Sequence, residues 1–217
     1  MKKISLSVAI ITKNEEENLK ILLPIISSFA EEVVIIDSYS SDNTKEIAGQ
    51  YECKFLENKW LGFSEQKNLA FSNCKNDWIL SLDADEIPDE VLIENIIEIV
   101  ETNDIASYKI NRNTHYLGKL MKYSWQPDKQ LRLVHKSNNP MWVGGEVHES
   151  LQVAGEIKEI SGKLIHFSYK DIVHHFQKTI QYAELGASKN LRLGKMVNPV
   201  NLVINPIFAF INLYFLK

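Results

Sequence analysis

The run Trp78-Ile-Leu-Ser-Leu-Asp83-Ala-Asp85-Glu86 places two carboxylates two positions apart just as a buried strand ends. Side chains two apart in an extended strand point the same way, so Asp83 and Asp85 can face one cation or one polar ligand. Oxygen ligands of this kind suit Mg²⁺ or Mn²⁺, which are held by one or two carboxylates together with substrate phosphates. Position reinforces spacing, because ligands of open α/β sheets sit beyond the carboxyl ends of the strands. On the spacing alone, an acidic surface turn is the better reading.

Two more strand ends change that balance. Val34-Ile-Ile-Asp37 runs into the small polar loop Ser38-Tyr-Ser-Ser-Asp42-Asn-Thr44. A carboxylate at Asp37 can accept hydrogen bonds from a base N–H or a ribose hydroxyl, while Asp42 and Asn43 read as helix caps. The first strand ends at Thr12-Lys13-Asn14-Glu15, polar again and at the same edge. Three polar strand ends side by side fit a nucleotide site better than three unrelated turns.

The elements that must position these residues alternate. Strand-like runs at Leu6–Ile11, Val33–Asp37, Lys54–Leu56 and Trp78–Leu82 have the continuous apolar character of strands buried on both faces. Helical signals lie between them: Asn14 with Glu17 and Asn43 with Glu46 read as capping boxes, and Pro24 should break or kink the first helix. Further helices are expected at Phe63–Phe71 and Asp89–Glu101. Short connections then imply right-handed βαβ units and an α/β fold, a doubly wound, mostly parallel sheet with helices on both faces. After about residue 105 the strands look shorter and scattered, a smaller mixed region at Ile105–Ile110, Gln130–Val134, Trp142–Val143 and Lys163–Phe167. A C-terminal helix follows over Asp171–Leu193, with Ile172, Phe176, Ile180, Ala183, Ala187 and Leu191 on one stripe, and His174 and His175 are expected on its surface.

The 217 residues, 45% apolar, suffice for one sizeable core. A net charge of −4 does not suit a coat for nucleic acid. Residues 161–217 nevertheless carry seven Lys/Arg against two Asp/Glu, a balance of +5 that leaves −9 for residues 1–160. The apolar run Val197–Leu216 is interrupted by Pro199, Pro206 and four asparagines. It reads as an in-plane membrane contact beside Lys189, Arg192 and Lys195, or equally as an interface segment, rather than a spanning helix. Two cysteines exclude a disulfide scaffold, and the short first apolar run reads as a strand rather than a signal peptide. The expected compartment is the cytoplasm, with peripheral contact at the inner face of the cell membrane.

Four segments in register, Val8-Ala-Ile-Ile-Thr-Lys-Asn-Glu-Glu, Asp37-Ser-Tyr-Ser-Ser-Asp-Asn-Thr, Gly62-Phe-Ser-Glu-Gln-Lys-Asn-Leu-Ala and Leu82-Asp-Ala-Asp-Glu, resemble family 2 glycosyltransferases of the GT-A fold. The resemblance is nearest to the lipopolysaccharide-core β-glucosyltransferase branch and covers most of residues 4–195. It implies one glycosyltransferase domain over 1–195, with a nucleotide-sugar half at 1–104 and an acceptor half at 105–195, followed by an apolar tail at 196–217. It also implies roles: Thr12 and Glu15 lining the nucleotide pocket, Asp37 recognising uracil or the nucleoside, Lys67 near the diphosphate beside Asn68, Asp83 at ribose and metal, and Asp85 as metal ligand. Arg132, in Asp128-Lys-Gln-Leu-Arg132-Leu, would face the donor phosphates, as a guanidinium fork can. In Trp142-Val-Gly-Gly-Glu146-Val-His148-Glu149, Glu149 inherits the place of the catalytic base, with Glu146 in reserve and His148 orienting it or structural. His166 is a candidate extra metal ligand or a structural histidine. Trp125 and Trp142 are candidates to stack on sugar or to pack in the core.

The expected reaction is a metal-dependent, inverting transfer of a hexose, glucose from UDP-glucose, onto a hydroxyl of a lipid-linked core oligosaccharide or other cell-surface glycan. The divalent cation, Mn²⁺ or Mg²⁺, together with Arg132 and Lys67 would neutralise the leaving diphosphate, and Glu149 would deprotonate the acceptor. Two alternatives stand beside it. A nucleotidyltransferase would carry a glycine-rich loop after the first strand, which Thr12-Lys-Asn-Glu-Glu lacks; a non-catalytic nucleotide-sugar-binding module would bind without turnover.

Overall fold

Alternating buried apolar runs and amphipathic segments give, in chain order, β1 (Ile4–Thr12), α1 (Glu16–Phe29), β2 (Ala30–Asp37), α2 (Thr44–Gln50), β3 (Lys54–Glu57), α3 (Phe63–Asn73), β4 (Trp78–Asp83), β5 (Glu86–Pro88) and α4 (Glu90–Thr102). There follow β6 (Ser107–Tyr116), β7 (Lys119–Leu120), β8 (Lys129–His135), β9 (Met141–Gly144), β10 (Glu149–Gln152), β11 (Ile157–Tyr169), α5 (Ile172–Arg192) and α6 (Pro199–Phe215). The structure, a computed structural model, describes residues 3–122, 126–144, 149–169, 171–192, 194 and 198–215. Two compact units emerge: Met1–Asn113 with Pro127–Phe167, and Thr114–Gln126 with Ser168–Lys217.

In the first unit the strands run β3-β2-β1-β4-β8-β6-β11-β5. The β3-β2-β1-β4 half is parallel. Pairing turns antiparallel at β4–β8 and stays so at β8–β6 and β11–β5. The later strands are longer than their apolar runs and continue the main sheet, while β9 and β10 form a separate hairpin. Both faces of β1 are covered. Leu6, Val8 and Ile10 pack with Leu19, Leu22, Leu23, Ile26 and Phe29 of α1, and with Leu92 and Ile96 of α4. On the other face Ala9, Val34, Ile36 and Ile79 meet Ala70 and Phe71 of α3 and Trp142 of β9. Each such large side chain contributes roughly 1.5–3 kcal/mol on burial, enough to fix α1 and α3 on opposite faces.

Two helix-cap expectations are corrected, and of the break or kink expected at Pro24 the break does not occur. The helix α1 continues through Pro24; the proline forgoes one backbone bond, and the fully buried Leu22, Leu23, Ile26 and Phe29 around it hold the turn. Asn14 is not a helix cap but a left-handed residue, φ 57°, whose Oδ1 accepts from Ser41 N at 2.8 Å. Asn43 precedes α2 without capping it through its side chain. Instead the two helix starts cap each other: Asp42 Oδ2 accepts from Glu16 N, and Glu16 Oε2 accepts from Asn43 N and Nδ2.

In the second unit β7 pairs with the end of β6, His115 opposite Leu120 and Tyr116 opposite Lys119. His175 is not simply a surface residue: its Nδ1 lies 2.9 Å from Tyr116 Oη, and its ring centroid is 4.1 Å from that of Tyr169. The expected stripe of α5 faces outward at Ile172, Phe176, Ile180 and Leu191. The helix α6 contains no Asp, Glu, Lys or Arg and exposes Val203, Ile207, Phe208 and Phe210. Among the described residues no helix is long and apolar enough to cross a membrane.

Candidate active site

Strand register brings the polar strand ends to one edge: Thr12 stands beside Asp37 across β1–β2, and Ile11 beside Asp83 across β1–β4. The Asp37 carboxylate is buried, accepting from Thr12 Oγ1 at 2.7 Å, from Ser40 N at 2.7 Å and from Ser40 Oγ at 2.6 Å. Lys13 Nζ donates to the carbonyls of Ser38 and Tyr39, and Asn14 N donates to Ser40 Oγ. Glu15 N donates to Thr44 Oγ1, while its carboxylate accepts from Asn18 Nδ2. The two loops at the ends of β1 and β2 are thus locked to each other before any ligand arrives. Gln66, which sequence reasoning passed over, is fully buried behind them and links Ser38 Oγ to Asn58.

The second feature is a chain of alternating charge. Lys67 on α3 is buried, and its Nζ lies 3.0 Å from both Glu149 Oε1 and Asp83 Oδ1. Asp83 Oδ2 accepts from Arg132 Nη2 at 2.7 Å, and the same Nη2 donates to Glu86 Oε1. Glu86 is fully buried; its Oε1 also accepts from Arg112 Nη1 at 3.1 Å, and its Oε2 from Asp83 N at 3.1 Å. Arg112 Nε reaches Asp128 at 2.7 Å. The order is Glu149, Lys67, Asp83, Arg132, Glu86, Arg112, Asp128, each charge flanked by its opposite. Burial works to raise the Asp83 carboxyl, but the Arg132 and Lys67 charges outweigh it and hold Asp83 well below the ordinary carboxylate range. Burial works to lower Arg132, yet Asp83 and Glu86 overcome it and keep the guanidinium firmly protonated.

These partners refine the expected roles. Arg132 is buried against carboxylates rather than open to solvent, and its Nε has no hydrogen-bond partner among the described residues. Trp142, a candidate sugar platform, is a core residue here: its ring meets Phe71 edge-on, Lys67 Nζ stands 4.3 Å from its centroid, and its backbone is clasped by the Asn68 amide. Its Nε1 is likewise buried without a partner among the described residues. Glu86, Arg112 and Asp128 were missed as site residues. Glu86 adjoins the acidic pair in sequence, but its two arginines come from β6 and β8, and only the sheet order reveals them. Glu146, His148 and Trp125 lie outside the described residues.

Asp83 and Asp85 do not share one extended strand. Strand β4 ends at Asp83, Ala84 and Asp85 form a turn, and β5 begins at Glu86. The turn separates their partners: Asp83 faces two cations, whereas Asp85 Oδ2 lies 3.5 Å from His166 Nε2 on β11. Pairing of β5 with β11 sets His166 opposite Glu86 and brings Phe167 N to the Asp85 carbonyl at 3.0 Å. Among the described residues no group of three or more His, Cys, Asp or Glu side chains gathers as a metal cluster. Asp85 and His166 nonetheless offer one carboxylate and one imidazole that would fit as part of the ligand set of a divalent ion.

A family model described as glycosyl transferase family 2 matches residues 7–149. The lipopolysaccharide core biosynthesis glycosyltransferase LpsC of Rhizobium meliloti is 28% identical over 225 residues, covering 98% of this chain and 82% of that one. An uncharacterized glycosyltransferase of Rickettsia felis is 30% identical over 234 residues, covering 100% of this chain and 80% of its own. Among solved structures, S. aureus TarS 1–349 in complex with UDP-GlcNAc superimposes with a TM-score of 0.56 at 13% identity, over 78% of this chain and 60% of that one. Mannosyl-3-phosphoglycerate synthase from Rubrobacter xylanophilus gives 0.54 at 10% identity, over 90% of this chain and 77% of its own. At such identities the likeness establishes a shared fold of the GT-A type.

Proposed function

The chain belongs to glycosyltransferase family 2, and from that premise we propose that it is an inverting enzyme moving a hexose from a UDP-linked donor to a hydroxyl of a lipopolysaccharide-core glycan. The observation that carries the reading is Lys67, whose ammonium lies 3.0 Å from both the donor-side Asp83 and the base candidate Glu149. Chemistry at a donor and chemistry at an acceptor need such groups side by side, and one buried cation holds them there. The LpsC name supports the lipopolysaccharide acceptor, and the UDP-GlcNAc complex of TarS supports the uridine donor. Glucose is the hexose we favour, from the branch that the motifs resemble.

In the reaction, Glu149 takes the proton of the acceptor hydroxyl. The freed oxygen attacks the anomeric carbon as its bond to the diphosphate breaks, and UDP departs with the bonding electrons. One displacement inverts the centre, so an α-linked donor gives a β-linked product. Thr12, Glu15 and Asp37 line the nucleoside side, and the positive charges of Lys67 and Arg132 serve the leaving phosphate oxygens. Asp85 and His166, with Asp83 adjoining, would hold Mn²⁺ or Mg²⁺, which supplies positive charge to the diphosphate when bound. Glu146 and His148 belong to the acceptor side. In this reading residues 1–195 form the catalytic domain, with 1–104 serving the donor and 105–195 the acceptor. The uncharged, exposed α6 within 196–217 lies in the plane of the inner cytoplasmic membrane face, near its lipid-linked acceptor.

Calorimetric titration of UDP, UDP-glucose, UDP-galactose and GDP-mannose, with Mn²⁺ and with EDTA, tests the donor site. The reading expects metal-dependent binding of the uridine ligands, its loss in Asp85→Ala, and retained binding without transfer in Glu149→Gln. No nucleotide bound by folded protein would overturn it. Vesicle flotation of the protein carrying Phe208→Asp and Ile211→Asp tests the membrane placement, and flotation equal to the parent's would remove it.

A further inference from the structure

Tyr39 is held in a conformation that its own side chain disfavours. Its φ is 55°, in the left-handed region where a bulky residue is a genuine outlier. The other left-handed non-glycine residues described have ordinary settings. Asn103 and Asn139 end helices, Glu52 follows the end of α2, Leu117 precedes Gly118 in a hairpin turn, and Asn14 is an asparagine. Tyr39 caps nothing and precedes no glycine.

The conformation is imposed by neighbours on both sides. Lys13 Nζ is 2.6 Å from the Tyr39 carbonyl and 2.6 Å from that of Ser38. Ser40 is tied through N and Oγ to Asp37, and Ser41 N to Asn14 Oδ1. None of these bonds uses the Tyr39 ring, which is 59% exposed and packs on no described aromatic side chain. The molecule therefore accepts two costs at one position, backbone strain and an aromatic face left in water. Strain of this kind persists where the surroundings over-determine it, and it clusters at ligand sites. The position is the carboxyl edge of β2, two residues beyond the buried Asp37, where open α/β sheets bind their ligands.

A flat, rigidly presented ring at that edge matches a flat, uncharged partner better than a phosphate or a metal ion. We propose that Tyr39 is the stacking platform for the base of the nucleoside diphosphate donor, which makes it a determinant of donor affinity that lies outside the carboxylate set. The inference rests on the nucleotide-sugar reading and adds to it a residue and a contact. The loop clasp then has a purpose in binding: Lys13 and Ser40 hold the ring in place beforehand, so little ordering remains to be done when the base arrives.

The experiment measures binding of UDP, UMP and inorganic pyrophosphate, each with Mn²⁺, to the parent, Tyr39→Phe, Tyr39→Ala and Tyr39→Gly, alongside the melting temperature of each. Tyr39→Phe keeps the ring and should bind within about threefold of the parent. Tyr39→Ala and Tyr39→Gly should weaken UDP and UMP by the same factor, roughly 5- to 100-fold from the usual worth of one base–aromatic stack. Pyrophosphate affinity should stay put. Tyr39→Gly should melt no lower than the parent, because glycine accepts φ 55° without strain. A residue kept for folding would give the reverse, a lower melting temperature with unchanged affinity. UDP binding within twofold of the parent in both ring-deleted variants overturns the inference, as does a Tyr39→Phe as weak as Tyr39→Ala. Parent protein that binds no UDP would instead remove the donor reading, and this inference with it.

Discussion

Lys67 Nζ stands 3.0 Å from Glu149 Oε1, joining residues 82 positions apart through a nearly buried ammonium. The cation also contacts Asp83, so its removal leaves Glu149 without its ammonium partner and Asp83 with Arg132 as its remaining close cation. Lys67→Met keeps a stem over Trp142 and removes only the charge. Breaking a fully buried pair costs about 3–5 kcal/mol. Because Glu149 and Asp83 are 20% and 29% exposed, solvent screening brings the expectation down to about 1–3 kcal/mol. Urea unfolding of Lys67→Met, Glu149→Gln and the double variant measures this. The double variant should lose less than the two singles together, and strict additivity would mean the two groups are not coupled.

Glu86 should be the most sensitive point in the charged chain. It has no exposure, binds Arg132 and Arg112 through one oxygen, and accepts the Asp83 backbone N–H through the other. Glu86→Gln leaves two guanidinium groups against a neutral amide, a change worth about 3–5 kcal/mol of a total near 5–15. At the outer end Asp128 is 19% exposed and contacts Arg112 alone among the arginines, so Asp128→Asn should cost about 1 kcal/mol. Urea midpoints for the two variants should differ accordingly, and equal losses would contradict a chain that is organised around Glu86.

The parallel half of the sheet could be read from sequence because each strand is a continuous apolar run that has to be covered on both faces. Asp37, Asp83 and Asp85 stood out for the same reason, as acids abruptly ending such runs. What could not be read was pairing across the antiparallel half. Strand β6 carries few apolar residues and those of β11 are interspersed with polar ones, so their lengths of 10 and 13 residues, and the arginines that β6 and its neighbour β8 bring to Glu86, depend on neighbours that no local pattern reveals. Lys67 shows the same limit, since its place on a short helix gives a solvated lysine by local rules, and only the packing of α3 on β9 and β10 buries it. The capping boxes failed for a related reason. The right residue types were present at the right spacing, but α1 takes its caps from the loop after β2, and α2 shares Asp42 of its own loop with Glu16 of the other.

Gly162 fixes where β11 can pass the start of α4. Its φ is 97°, and a Cβ placed there would lie 2.4 Å from Leu92 N, a backbone atom that cannot move aside alone. The neighbouring Asp89 caps α4 by accepting from Leu92 N and also accepts from Lys163 N, so the helix start and the strand are already tied together. Gly162→Ala should therefore destabilise by about 3 kcal/mol or more, from strain and overpacking together. Gly49 is the control: it lies in α2 with nothing within 4 Å of an added Cβ, so Gly49→Ala should be neutral or stabilise by up to about 1 kcal/mol. Thermal melts of the two variants should move in opposite directions.

The two thiols should be silent in the folded protein. Burial pushes Cys53 up to about 11 and Cys74 up to about 12, the latter despite the nearby Lys136. At pH 8 the thiolate fraction of Cys53 is then on the order of one in a thousand, and that of Cys74 smaller still. Iodoacetamide at pH 8 should modify neither cysteine in native protein and both in urea, as counted by intact mass. The sign for stability follows from the same shift. An unfolded thiol ionises near pH 8.5–9, so above that range the folded state holds more protons than the unfolded one and stability falls as pH rises toward 11–12. Replacing both residues with alanine removes this source of alkaline sensitivity, so the urea midpoint of the double variant should decline less steeply between pH 9 and 11 than the parent's. An equal slope in both proteins would assign the decline to other groups.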